Sequence, residues 1–257
     1  MDKVKALMIA LGNPPVSKGS LLPRRFLFRM TDYRNLQRYL ADEALYAKNH
    51  PKVQPGFRIS YDEIVARRGT AMFTAPCRSN INNFVPFYFS PLTKMAFTIH
   101  RGNVALKAPD GTNLGTASMN DVAFLTVDPD RLFASGRDCW FTDIACNSAI
   151  PPKYENDPVK LATHVDWPLF DESPVTGAIR EVGYNGVCQW QHDRDHPPAH
   201  QQRSKKRMAE FMVRDYLRMD EVSCIVLKTG THVAMVQAWV DAARLNIPVL
   251  VKSGCYF

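Results

Sequence analysis

The sequence predicts an α+β fold in a single domain, with a central mixed or antiparallel β-sheet flanked by helices. Three observations predict it. The 257 residues are 46% hydrophobic and 22% charged, a globular balance with enough apolar material for a sizeable core. Apolar strand-like runs interleave with stretches of helical period. No Gly/Ser-rich or Pro-rich linker, repeat or low-complexity tract divides the chain, so residues 1–25 read as an N-terminal extension and 26–257 as the domain.

Taken in order, FLFRM from Phe26 reads as a strand. TDYRNLQRYLADEALYA then reads as a helix, with Thr31 or Asp32 as its cap and Leu36, Leu40, Ala44 and Leu45 on one face. A second helix is predicted over Tyr61 to Arg68, with Ser60 as N-cap, Glu63 at the third helical position and Gly69 at its end. NFVPFYFSPLTKMAFTIH carries an aromatic strand from Phe84 to Phe89, a turn at Ser90-Pro91 and a second apolar stretch. Residues 103–108 and 122–127 read as further strands. The pattern loosens over 146–206, rich in Pro, Asp, His and basic residues, where VGYNGVCQW is a strand candidate and an irregular connection of this length suggests function. SCIVLK is a strand, THVAMVQAWVDAARL a helix and IPVLVK the last strand.

The net charge of +7 is clustered at Arg24-Arg25, Arg67-Arg68 and the run Arg203, Lys205, Lys206, Arg207, which suits a polyanionic partner. The six cysteines are dispersed without a C-x-x-C pair, which argues against a zinc ribbon or a disulfide framework and fits a reducing cytoplasm. The apolar stretch Ala6 to Leu11 is too short to span a bilayer, so the expectation is a soluble cytoplasmic protein with no membrane partner. Cys188, His192, His196 and His200 have ligand-like spacing, but Pro197 and Pro198 interrupt any helix that would gather them, so no metal is expected. G-x-G-x-x-G after a strand, Walker A and G-x-S-x-G sequences are absent.

The phrase FVPFYFSPLTKMAFTIHRGN, followed much later by SKKRMAEFMV, resembles the DarT family of DNA ADP-ribosyltransferase toxins. In that family an aromatic VPFYF strand leads into a turn, and a late A-E-F carries the catalytic glutamate. ISYDEIVARR is similar to the family's helix ending in a functional arginine, and FRMTDYRNL to its nucleotide-contacting opening. Arg29 stands where the family commonly has histidine, and Leu92 and Lys94 differ from its more usual Arg and Pro.

The resemblance implies an ADP-ribosyltransferase-like fold, NAD+ as co-substrate, single-stranded DNA as acceptor, and a toxin paired with a DarG-like macrodomain antitoxin that removes the modification. It implies catalytic roles for Glu210 and Arg68, and NAD+ contacts for Arg29, Met30, Thr31, Asn35, Tyr46, Arg68 and Tyr88. DNA would be held by Leu92, Thr93, Lys94, Met95, Ala96 and Phe97, and by Ser204, Lys205, Lys206, Arg207 and Met208.

The chemistry gives these residues work to do. Nicotinamide leaves NAD+ as a neutral molecule, so no general acid is required. Positive charge develops on the ribose, and a carboxylate on a ribose hydroxyl stabilises that transition state more than the ground state. A guanidinium stays charged and makes fixed bidentate contacts, which suits Arg68 to a pyrophosphate, or to a base losing its proton, but not to general-base work. Read alone, the A-E-F-M-V run also allows a helix with Met208, Phe211, Met212 and Tyr216 buried and Glu210 exposed. Arg68 alone allows a surface pair with Asp62 or Glu63. RNA, protein or water as acceptor, and a non-catalytic basic nucleic-acid-binding module, stay open at this level.

Overall fold

The computed structural model describes residues 24–70, 75–189 and 202–257. In chain order its strands are β1 (Leu27–Asp32), β2 (Ala44–Tyr46), β3 (Phe84–Tyr88), β4 (Ala105–Lys107), β5 (Asn113–Thr116), β6 (Val122–Val127) and β7 (Cys139–Thr142). There follow β8 (Tyr154–Glu155), β9 (Val175–Thr176), β10 (Val187–Cys188), β11 (Glu210–Arg214), β12 (Tyr216–Arg218), β13 (Val222–Leu227) and β14 (Val249–Val251). Eight of them form one sheet in the order β14-β13-β6-β1-β3-β11-β7-β8, antiparallel except for the β13–β14 pair. The α+β sheet predicted from sequence is therefore present.

Packing explains the arrangement. VAFLTV of β6 is buried at every position because strands flank it on both sides and the core covers both faces. Parallel pairing of β13 with β14 requires a crossover, and the helix Val233–Ala242 supplies it, burying Val236 and Val240. On one face of the sheet Phe211 lies parallel to Phe141 at 6.2 Å and edge-on to Phe133 at 5.4 Å. The alternation of β11 sends Phe211 and Val213 into this main core, while Met212 joins a smaller cluster with Phe84 and Cys146. Glu210 shares the Met212 side. No described helix is long and apolar enough to cross a membrane.

Several sequence expectations are corrected. Thr31 and Asp32 finish β1 and cap no helix; the helix spans Asn35–Ala41, and Ala44 and Leu45 lie in β2, paired with β12. The chain leaves the helix at Glu43, whose φ of 52° is left-handed. The second helix starts at Asp62 behind an extended Tyr61 without a side-chain cap, so Ser60 is not its N-cap. The apolar stretch after Ser90-Pro91 is the helix Lys94–His100, capped by the Thr93 hydroxyl accepting from the Ala96 N–H at 3.2 Å. The A-E-F-M-V run is strand β11, which removes the helical reading of Glu210.

The basic clusters also divide differently than their sequence positions suggest. Arg24 pairs with Asp128, and Arg25 pairs with Asp171 at 2.6 Å while lying over the Trp167 ring. Arg203 is buried and pairs with Glu172. Most of the N-terminal extension, together with His192, His196 and His200, lies outside the described residues.

Candidate active site

Three adjacent strands assemble the floor of a cleft of about 900 Å³. Phe28 of β1 faces Tyr88 of β3, and Tyr88 faces Glu210 at the start of β11. Glu210 has no exposed surface and stands among the residues around the cleft. Arg68, at the end of the helix Asp62–Arg68, reaches across to it: Nη1 donates to Oε1 at 3.0 Å and Nη2 to Oε2 at 2.9 Å. The Cys146 main-chain N–H donates to Oε1 at 2.9 Å. The Glu210 main-chain N–H donates to the Thr142 hydroxyl at 3.1 Å. A buried carboxylate is costly unless paired and hydrogen-bonded, and here it is both.

The electrostatics follow from that pairing. Burial pulls the Arg68 pKa down, but the charge and hydrogen bonds of Glu210 outweigh it and the net shift is upward. Arg68 is thus held as a cation, which excludes it as a proton acceptor. The Tyr88 phenol is pushed up, first by burial and then by Glu210, so it stays protonated as a donor at neutral pH.

Arg29 of β1 also lines the cleft, beside Tyr88, Arg68 and Glu210. Its Nη1 donates to the Pro86 carbonyl at 3.4 Å, and its Nε is buried with no hydrogen-bond partner. Burial lowers its pKa, with Arg68 adding in the same direction. A buried N–H without a partner is uncommon and leaves hydrogen-bonding capacity unused beside the cleft.

A strap from Val53 to Tyr61 forms one wall, held by Asn35. The Asn35 amide accepts from the Phe57 N–H at 2.8 Å and donates to the Phe57 carbonyl at 2.8 Å and to Thr31 Oγ1 at 3.1 Å. Asn35 thus acts as a latch, a role the sequence reading did not give it, and Thr31 is buried beneath it. Arg38 donates to the Pro55 carbonyl, and Arg34 lies over the Phe57 ring while paired with Asp32. Tyr46 stacks on His50 with ring centroids 4.5 Å apart, and both Tyr46 and Met30 line the cleft.

The segments read as DNA-holding separate into two kinds. Lys94, Met95, Ser204, Lys205 and Met208 line the cleft, with Lys94 and Lys205 exposed at its rim. Leu92, Thr93 and Ala96 are buried and pack the turn and helix behind them. Arg207, expected to hold DNA, is buried too: it donates to the carbonyls of Leu169 and Cys188 and ties down the turn at Ser90 and Leu92. Lys206 pairs with Asp166 at 2.7 Å, and Phe97 packs edge-on to Phe257.

Sequence reasoning missed Thr142, Cys146 and the strap. Cys146 acts through a main-chain N–H, which no residue type announces, and Thr142 carries no pattern of its own. Among the described residues no group of three or more His, Cys, Asp or Glu could hold a metal ion.

A family model described as "ssDNA thymidine ADP-ribosyltransferase, DarT" matches residues 28–257. No curated protein matches the sequence. Among solved structures, Thermus sp. 2.9 DarT in complex with ADP-ribosylated ssDNA superposes with a TM-score of 0.69 at 18% identity, covering 91% of this chain and 97% of that one. The same protein in complex with NAD+ gives 0.67 at 17% identity, over 93% and 100% of the two chains. Thermosipho africanus DarTG in complex with ADP-ribose gives 0.58 at 16% identity, over 91% of this chain and 51% of that one. At these identities the structural matches speak to the shared fold.

Proposed function

The chain belongs to the DarT family of ssDNA thymidine ADP-ribosyltransferases, and on that premise we propose that it transfers ADP-ribose from NAD+ to thymine in single-stranded DNA. The observation that carries the reading is the fully buried Glu210 side chain on the cleft floor, gripped through both oxygens by the Arg68 guanidinium.

NAD+ lies in the cleft with its nicotinamide ribose over Glu210. Arg29, Met30, Thr31, Tyr46 and Tyr88 line its path, and Asn35 holds the strap against it. The bond between nicotinamide and the anomeric carbon breaks, nicotinamide leaves as a neutral molecule, and Glu210 stabilises the oxocarbenium charge through a ribose hydroxyl. Thymidine has one ring nitrogen that bears a proton, N3. Its lone pair forms the new bond to the anomeric carbon, and the N3 proton passes to water.

Arg68 carries two duties. It fixes the Glu210 carboxyl in place through two hydrogen bonds, and as a fixed cation it favours the imidate anion that forms as N3 loses its proton. The acceptor strand approaches over the rim, where Lys94 and Lys205 face its phosphates and Met95, Phe97, Ser204, Lys206 and Met208 flank it. Leu92, Thr93, Ala96 and Arg207 support that surface from behind. The activity makes the protein the toxin of a cytoplasmic toxin–antitoxin pair, countered by a macrodomain antitoxin of DarG type that hydrolyses the modification.

The direct test is mass spectrometry of thymine-containing and thymine-free single-stranded oligonucleotides after incubation with the protein and NAD+. Addition of one ADP-ribose to the thymine-containing strand alone, absent with Glu210→Gln, supports the reading. Intact oligonucleotide with intact NAD+ overturns it. Growth arrest on expression, relieved by a co-expressed DarG-type macrodomain, tests the toxin role.

A further inference from the structure

We propose that Thr142 is the positioning residue for Glu210: its single hydroxyl fixes the glutamate's main chain and, through the turn 143–146, its carboxylate. This rests on Glu210 being the carboxylate that stabilises the transition state.

The ladder between β7 and β11 ends at the pair Phe141 and Phe211. One residue beyond, the Glu210 N–H has no strand partner on that side, and the Thr142 hydroxyl takes it at 3.1 Å. The hydroxyl's own proton goes to the Ile144 carbonyl at 2.7 Å, nearer than the Glu210 carbonyl at 3.3 Å. That bond folds residues 143–146 back toward the sheet and delivers the Cys146 N–H to Glu210 Oε1 at 2.9 Å. The turn is also docked on the strand it serves, since Cys146 Sγ lies 3.5 Å from Met212 Sδ.

Thr142, Cys146 and Glu210 are all fully buried, so water does not replace a lost contact. Neither Thr142 nor Cys146 lines the cleft, so Thr142 acts through what it holds: Glu210, whose loss costs kcat, or Ala145, Asn147 and Ser148, which do line the cleft and whose displacement would raise the KM for NAD+.

The test pairs two substitutions. Thr142→Val keeps the shape and removes the hydroxyl, and Thr142→Ser keeps the hydroxyl. For Thr142→Val we expect kcat for transfer to single-stranded DNA to fall by about 10- to 100-fold while the KM for NAD+ stays within about twofold, because misplacement of a reacting group costs rate rather than binding. Hydrolysis of NAD+ without DNA falls in parallel, and Thr142→Ser restores most of both.

Unchanged kcat in Thr142→Val, a rise in the KM for NAD+ at constant kcat, or equal loss in both variants with a lowered Tm would each overturn the proposal. If the wild-type protein neither transfers nor hydrolyses, the functional reading fails, and the brace is then judged by amide hydrogen exchange. Loss of protection at Glu210 and Cys146 in Thr142→Val, regained in Thr142→Ser, upholds the brace. Unchanged protection rejects it.

Discussion

The floor of the cleft and its rim are built on opposite principles. On the floor, Glu210 is 0% exposed and each of its carboxylate oxygens is met by a fixed donor, while on the rim Val53, Tyr61 and Ile64 remain 41%, 38% and 38% exposed. Strands place the floor, with Glu210, Tyr88 and Phe28 in register across β11, β3 and β1. A strap, a turn and two exposed lysines form the rim. The difference separates the two demands of the reaction. Charge stabilisation needs one geometry in a dry site, whereas a passing strand needs diffuse charge and apolar faces that tolerate different bases.

The sharpest way to break this division is Glu210→Gln. It preserves shape and removes the charge, so transfer should fall by about 10²- to 10³-fold with little change in the affinity for NAD+ or DNA. Single-turnover rates together with titration calorimetry check it. A loss confined to the KM for DNA would show that the floor serves binding, and the division would collapse.

Arg68→Gln comes next. It leaves the buried carboxylate without a counter-ion, and breaking such a pair costs roughly 3–5 kcal/mol of stability. Denaturant unfolding should show this loss, and Arg68→Gln combined with Glu210→Gln should recover most of it without recovering activity. If the double variant is no more stable than the single one, the pair is not what holds the helix Asp62–Arg68 against the sheet.

The sequence made the floor legible and left the rim and the bracing obscure, for physical reasons. Glu210 and Arg68 stand in phrases similar to a family's, and a charged residue inside the apolar run A-E-F-M-V already required an explanation. The strands were legible because VAFLTV and SCIVLK are apolar runs too short for core helices. Periodicity failed at Ala44 and Leu45, which suited a helical face but follow a left-handed Glu43 into β2. Charge clustering misled for Arg207, because a burial network of carbonyls and Cys188 is invisible to composition. Asn35, expected as a ligand contact, lines the cleft and also latches the strap, a second role hidden from the sequence because the main chain of Phe57 that it holds is 22 residues away.

The strap tests whether wall and floor act independently. At Gly56 an added Cβ would stand 2.6 Å from Asn35 Oδ1 and 2.9 Å from Arg38 Nη2, so Gly56→Ala must displace the latch. The KM for NAD+ should rise about tenfold with kcat within about twofold, since uniform binding is lost and no transition-state contact is touched. Steady-state kinetics in NAD+ would reveal it. A matching fall in kcat would instead join the strap to the floor as one unit.

The smallest effect belongs to the rim, and it is best read in salt. Lys94 and Lys205 are exposed at the mouth of the cleft, and on the proposed reading each neutralises at most one phosphate. Releasing one condensed counter-ion contributes a slope of about −0.7 in log affinity against log salt for single strands. Lys94→Gln and Lys205→Gln should therefore each make that slope shallower by about 0.7 and raise the KM for DNA only at low ionic strength, leaving kcat alone. Fluorescence anisotropy with a labelled thymine oligonucleotide across a salt series would measure it. An unchanged slope would mean that the strand crosses elsewhere. A steep loss at all salt concentrations would mean that these lysines hold the acceptor base itself, which would move them from the rim to the floor.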